Sequence, residues 1–260
     1  SDAGKGGTTS APYSSGQENT AMGYLALRNF TTGGSNTAIG RKALEDVSSG
    51  GYNVAVGNEA GLQLTTGGEN VFLGISAGGN TTDVDKAVLI GGGAATGVLT
   101  SGADGIIVIG YTAGQSLTSG AGNLAIGYEA MKTHTTGHSN IAIGYQAMDD
   151  TDAGSNSSDS DHNIAIGRNT MGGTWANVKS ENNIAIGNNS MDSPLDGSHY
   201  NITLGHYVLS NITTGDSNIG IGWAAAENIT TGNDNIIIGK QAGDAITTKS
   251  GVIAIGSGAA

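Results

Sequence analysis

The side chains with the most reactive chemistry gather late in the chain. Asp149, Asp150, Asp152, Asp159 and Asp161 fall in one Ser- and Gly-rich stretch, residues 149–161. Carboxylates at this density could wrap Ca²⁺, which takes about six to eight oxygens. The spacing is not that of an EF-hand, because no glutamate stands at the twelfth position. We expect a solvated acidic loop and no bound cofactor, with Ca²⁺ at 149–161 as the alternative. Trp175, Tyr200 and Trp223 are aromatic rings of the kind that stack on sugars. His134, His138, His162, His199 and His206 show no metal-ligand spacing. No nucleophile elbow is present, and Gly91-Gly92-Gly93 opens no helix that would make a phosphate loop. The residues therefore predict a non-enzyme with a contact surface at Asp149, Asp150, Asp152, Asp159, Asp161, Trp175, Tyr200 and Trp223.

A repeat must position these residues. An aliphatic cassette closing on glycine ends at Gly23, Gly40, Gly57, Gly74, Gly91, Gly110, Gly127, Gly144, Gly167, Gly187, Gly205, Gly222, Gly239 and Gly256. Nine of the thirteen gaps are 17 residues, and the irregular gaps of 23, 20 and 18 are consecutive, between Gly144 and Gly205. A fixed short period identifies a solenoid, in which each unit buries its apolar face against its neighbours. We expect an all-β solenoid of about fourteen coils. The chain divides into a lead-in at 1–13 and one solenoid domain at 14–260, with loop excursions at 149–161, 171–181 and 190–200. At a strand spacing of about 4.8 Å the coils would build a rod roughly 65 Å long.

Within the cassette, aliphatic residues flank a middle position that is most often Ala, as in Ile141-Ala142-Ile143. Period-two spacing of β-branched residues specifies a strand. A sheet with one wet face should carry polar residues at the alternate position, and no charge occurs there. Both faces are thus expected to be buried, the aliphatic columns inside the coil and the alanine column against a second chain. Asn opens the cassette at Asn19, Asn36, Asn53, Asn70, Asn123, Asn140, Asn163, Asn183, Asn201, Asn218 and Asn235, a column suited to a side-chain ladder. A [Ser/Thr]-[Ser/Thr]-Gly triplet such as Thr31-Thr32-Gly33 marks a turn ten residues after the cassette glycine. Between cassette and triplet, small and apolar residues recur (Ala43 and Val47, for example), predicting a second short strand in each coil. Tyr111, Tyr128 and Tyr145 share a column and predict an aromatic ladder.

Composition narrows the function classes. A net charge of −12 and a pI near 4.5 argue against nucleic acid or an anionic membrane as partner. With no cysteine there is neither a disulfide framework nor a thiolate metal site. No apolar run reaches membrane-spanning length, so no membrane insertion is expected. The sequence stops at Ala260 inside a repeat, with no polar cap, so we expect a piece of a longer or cleaved protein.

The segments GSNTAIGRKAL (34–44) and GNLAIGYEAM (122–131) resemble the repeats of phage tail fibres, and the cassette is similar to the strand of YadA-like heads in trimeric adhesins. The resemblance covers nearly the whole chain and implies a side-by-side homotrimer. It also implies an extracellular place, on a virion tail fibre or a bacterial cell surface, and a host-surface glycan or protein as partner. Two alternatives stand beside it. The Thr-Thr columns would suit an ice-binding solenoid, although Ser replaces Thr in several coils. Clustered carboxylates would suit a polysaccharide-cleaving β-helix enzyme.

Overall fold

The computed structural model describes Gly4 and residues 16–151, 159–175 and 178–260. Fourteen three-residue strands, all parallel, stack in chain order as a β-solenoid. They fall into two compact units, Ser1–Ile126 and Gly127–Ala260. The first carries seven strands, from Thr20–Met22 to Leu124–Ile126, and the second seven, from Ile141–Ile143 to Ile253–Ile255. Within each unit every coil lies on the next in register, so that Ala38 pairs with Ala55 and Ala142 with Ala165.

The cassette glycine is required twice over. Gly40 has φ +138°, and a Cβ on it would lie 2.2 Å from the carbonyl oxygen of Gly57 one rung away. The Asn column forms the ladder expected of it. The Asn36 Oδ1 accepts from both the backbone N–H and the Nδ2 of Asn53 at 3.0 Å. The Asn53 Nδ2 also donates to the Gly67 carbonyl at 3.0 Å. Asn163, Asn183, Asn201, Asn218 and Asn235 repeat the pattern in the second unit. The ladder satisfies amides that the coil removes from water, where an unmade bond costs about 1–3 kcal/mol.

Two expectations are corrected. The strand faces are reversed: the middle residues, Ala38, Ala55, Ala142 and Ala165 among them, are fully buried inside the coil. The flanking aliphatic columns point outward, with Val54 and Val56 each 38% exposed and Leu204 50% exposed. Nor does a coil carry a second strand among the described residues. The second and fourth residues after the glycine take left-handed φ, 58° at Lys42 and 48° at Leu44. This alternation turns successive N–H groups toward opposite neighbours: Lys42 donates back to the Tyr24 carbonyl (2.7 Å) and Leu44 forward to that of Ala60 (3.0 Å). Turns thereby do the work of a strand while bending the coil shut.

The reversal has a steric cause. A three-residue strand and a tight corner enclose little space, so the strand's middle side chain and the fourth residue after the glycine compete for it. Where the middle is Ala142 or Ala165, the corner is Met148 or Met171, all fully buried. Where the middle is Phe72, the corner is Gly78, whose Cβ would meet the Phe72 ring at 2.6 Å. At Ile237 the corner is Gly243, again with room for no more. Phe72→Ala should therefore cost about 3–4 kcal/mol through the cavity it leaves. Adding Gly78→Met, a residue the equivalent corners already hold at φ 51–52° (Met148, Met131), should recover about 1–2 kcal/mol. Urea denaturation of the two single variants and the double variant measures this coupling; strict additivity would refute the shared-space account.

Candidate functional site

The three excursions continue the rung-to-rung bonding of the second unit. Ser180 N–H donates to Ser160 Oγ (3.0 Å), and Ser180 Oγ accepts from the N–H groups of Gly197 (3.2 Å) and Ser198 (3.1 Å). Val178 N–H donates to Asp196 Oδ1 at 3.0 Å. The described parts of the loops thus extend neighbouring coils side by side.

The structure sorts the residues singled out from the sequence. Asp159 is exposed and accepts from Thr136 Oγ1 at 2.6 Å, with the Lys179 ammonium 3.9 Å away. Asp161 Oδ1 accepts from the His138 N–H at 2.5 Å, a structural duty. Asp150 accepts from the Thr174 hydroxyl. Asp152 lies outside the described residues. Tyr200 is 62% exposed, its ring tilted beside His199. Trp223 is 47% exposed, with Lys240 Nζ 5.4 Å from its ring centroid. These two rings remain open to a partner.

Trp175 is corrected as a sugar platform. It is fully buried, and its backbone N–H donates to the Asp150 carbonyl at 3.0 Å. Trp175 stands eight residues after Gly167, as buried Leu195 stands eight after Gly187, and fills the same apolar column. Its position in the lengthened coil was the signal that it belongs to the core. The tyrosine ladder is present in the second unit: Tyr128 and Tyr145 stack at 5.1 Å and 6°. Arg168 extends the column over Tyr145 at 5.8 Å.

One acidic pair was missed. Asp149 and Asp192 each stand five residues after a cassette glycine, with Gly172 in the same column between them. A Cβ on Gly172 would lie 3.0 Å from Asp192 Oδ1, 3.1 Å from Asp149 Oδ1 and 3.2 Å from the Gln146 carbonyl. Burial pushes the Asp149 carboxyl up to about 6, and the carboxylates of Asp150, Asp192 and Glu129 add to the effect. Burial raises Asp192 as well, against the Asn189 Nδ2 that donates to its Oδ2 at 3.0 Å. On the flank, Glu129 accepts from Lys132 and from Gln146, each at 2.8 Å, and these bonds hold it below the ordinary carboxylate range. Among the described residues no group of three or more His, Cys, Asp or Glu could hold a metal ion.

Raised carboxyls mean that the folded chain binds protons more tightly than the unfolded one, so stability falls as pH rises from about 4 to about 6 and is regained on acidification. Because Asp149 is only partly buried, solvent screening reduces the effect to about 1 kcal/mol. Asp149→Asn should raise the melting temperature at pH 7.5 and flatten its dependence between pH 4.5 and 7. An unchanged pH profile in that variant would contradict the assignment.

No protein-family model matches the chain, and no curated protein matches its sequence.

Proposed function

We propose that this chain is a structural and adhesive segment of an extracellular fibre, assembled as a homotrimer and carrying loops for contact with a host surface. The observation that supports the reading best is the outward aliphatic face. In each unit two columns of Val, Ile and Leu run along consecutive strands on the side away from the coil interior. Monomers seldom leave contiguous apolar surface of this kind open to water. A second and a third copy, each presenting the same columns, would cover it through contacts that close around a threefold axis. The resemblance of the cassette to trimeric adhesin heads and phage tail fibres points to the same assembly.

Adhesion is read from the second unit, where the excursions interrupt an otherwise uniform wall and where Tyr200, Trp223 and Asp159 are exposed. Loops on a rigid scaffold are the usual seat of recognition. The ice-binding reading has less support, because the Thr31, Ser48 and Thr65 hydroxyls donate to carbonyls of the next rung. The single donor of each is therefore committed within the coil.

Val54→Asp combined with Ile202→Asp should leave the far-ultraviolet circular dichroism unchanged and release single chains in sedimentation velocity. A variant that still sediments with the mass of the unaltered protein would sink the assembly. Tyr200→Ala with Trp223→Ala should weaken adsorption to bacterial cells by about tenfold or more, as loss of aromatic anchors does. Unchanged adsorption across a panel of cell types would remove the second unit as the contact surface.

A further inference from the structure

The corner eleven residues after a cassette glycine, or twelve to thirteen where the coil is longer (His199, Asp104), follows a rule. Its backbone N–H is capped by a side-chain oxygen from the same column one rung on. Asp216 Oδ1 caps His199 (2.7 Å), Asn233 Oδ1 caps Asp216 (2.8 Å) and Ser250 Oγ caps Asn233 (2.9 Å). In the first unit Asp85 Oδ1 caps Gly68 (2.7 Å) and Asp104 Oδ1 caps Asp85 (2.8 Å).

The rule fails at two successive rungs. The residues that should cap Gly34 and Gly51 are Gly51 and Gly68, which have no side chain. Neither N–H has a partner among the described residues. The missing side chains open a groove of about 640 Å³ along the first unit, floored by this glycine column. Hydroxyls of Thr32, Ser49 and Thr66 line one side of the floor, and Glu18, Tyr52 and Glu69 the other. Tyr52 is 71% exposed.

We propose that this groove binds a linear, uncharged glycan whose oxygens accept from the Gly34 and Gly51 N–H groups, where Asp85 and Asp216 place their own oxygens in other coils. Three features select that ligand class. Two adjacent amides lack an acceptor, while the carboxylates of Glu18 and Glu69 offer acceptors to sugar hydroxyls and the Tyr52 ring offers a face for stacking. Carboxylates outnumber ammonium groups in the lining, with Lys86 the single cation, so a polyanion is repelled. Rungs about 4.8 Å apart repeat the same groups at close to the length of one sugar in an extended chain. An extended peptide would need pockets for alternate side chains, and the lining, apart from the Tyr52 ring and the Lys86 ammonium, is hydroxyl, carboxylate, amide and glycine. The inference draws on the fibre reading only in that such a fibre meets surface polymers; the groove is built within one chain.

The test uses the full chain against neutral linear hexasaccharides (β-glucan, xylan, mannan and chitin types), with a uronic-acid polymer and a Gly-Ser peptide as comparators. Gly51→Asp and Gly68→Asp install the chain's own cap; neither position has left-handed φ, and a Cβ at each would stand 3.0 Å from the carbonyl oxygen of the preceding rung, which must give by a few tenths of an ångström. Each should leave the melting temperature within a few degrees of the unaltered chain and weaken binding of one neutral series by about tenfold or more. Tyr52→Ala should weaken it as well without displacing any cap. Binding that persists in the dissociated Val54→Asp/Ile202→Asp variant would support a groove independent of assembly. The proposal is overturned if no neutral glycan binds, if only the polyanion or the peptide binds, or if Gly51→Asp binds as well as the unaltered chain.

Discussion

Successive coils approach one another backbone to backbone. At the cassette glycine each coil comes so near the next that a single added carbon would lie 2.2 Å from a carbonyl oxygen, as at Gly40 over Gly57. That approach fixes the rung spacing, and the rest follows from it. Identical side chains one rung apart are brought within hydrogen-bonding distance, which makes the Asn ladder possible and satisfies the amides buried by the coil. The hydroxyls of Thr31, Ser48 and Thr65 exploit the same spacing at the opposite corner. A solenoid of this type has no large central core; its stability accumulates rung by rung.

The narrowness of the coil then decides which face is which. Beside the strand, the middle residue and the corner residue share one space, and Phe72 over Gly78 and Ala142 beside Met148 are two ways of filling it. The bulky aliphatic residues flanking the middle position have no room inside, so they stand outward and need a covering from elsewhere. Function in this account is what the regular coil leaves unfinished. On the strand side that is an apolar face; at the corner of the first unit it is a pair of uncapped amides; in the second unit it is the lengthened turns.

Much of this was legible in the residues. The period, the cassette strand and the Asn column could be read directly, because spacing alone carries them. The orientation of the strand could not, since an apolar residue on each side leaves alternation without a sign. The missing sign was the inverse relation between the strand's middle residue and the fourth residue after the glycine, a pairing across the coil. The second segment looked like a strand because alternate small and apolar residues suit a turn of alternating handedness equally well; Lys42 and Leu44 reveal nothing of their φ. Trp175 drew attention as an aromatic in a loop, when its offset from Gly167 placed it beside Leu195 in the core. Asp192 was passed over because its partnership with Asp149 spans two rungs and needs the absence of a side chain at Gly172.

The claim on which most depends is that the outward aliphatic columns are covered by further copies of the chain. Light scattering on the purified protein, over a range of concentrations, measures it directly. The account predicts a mass about three times the 25.7 kDa of one chain, persisting on dilution. A stable particle of 25.7 kDa, with the columns open to water, would contradict it.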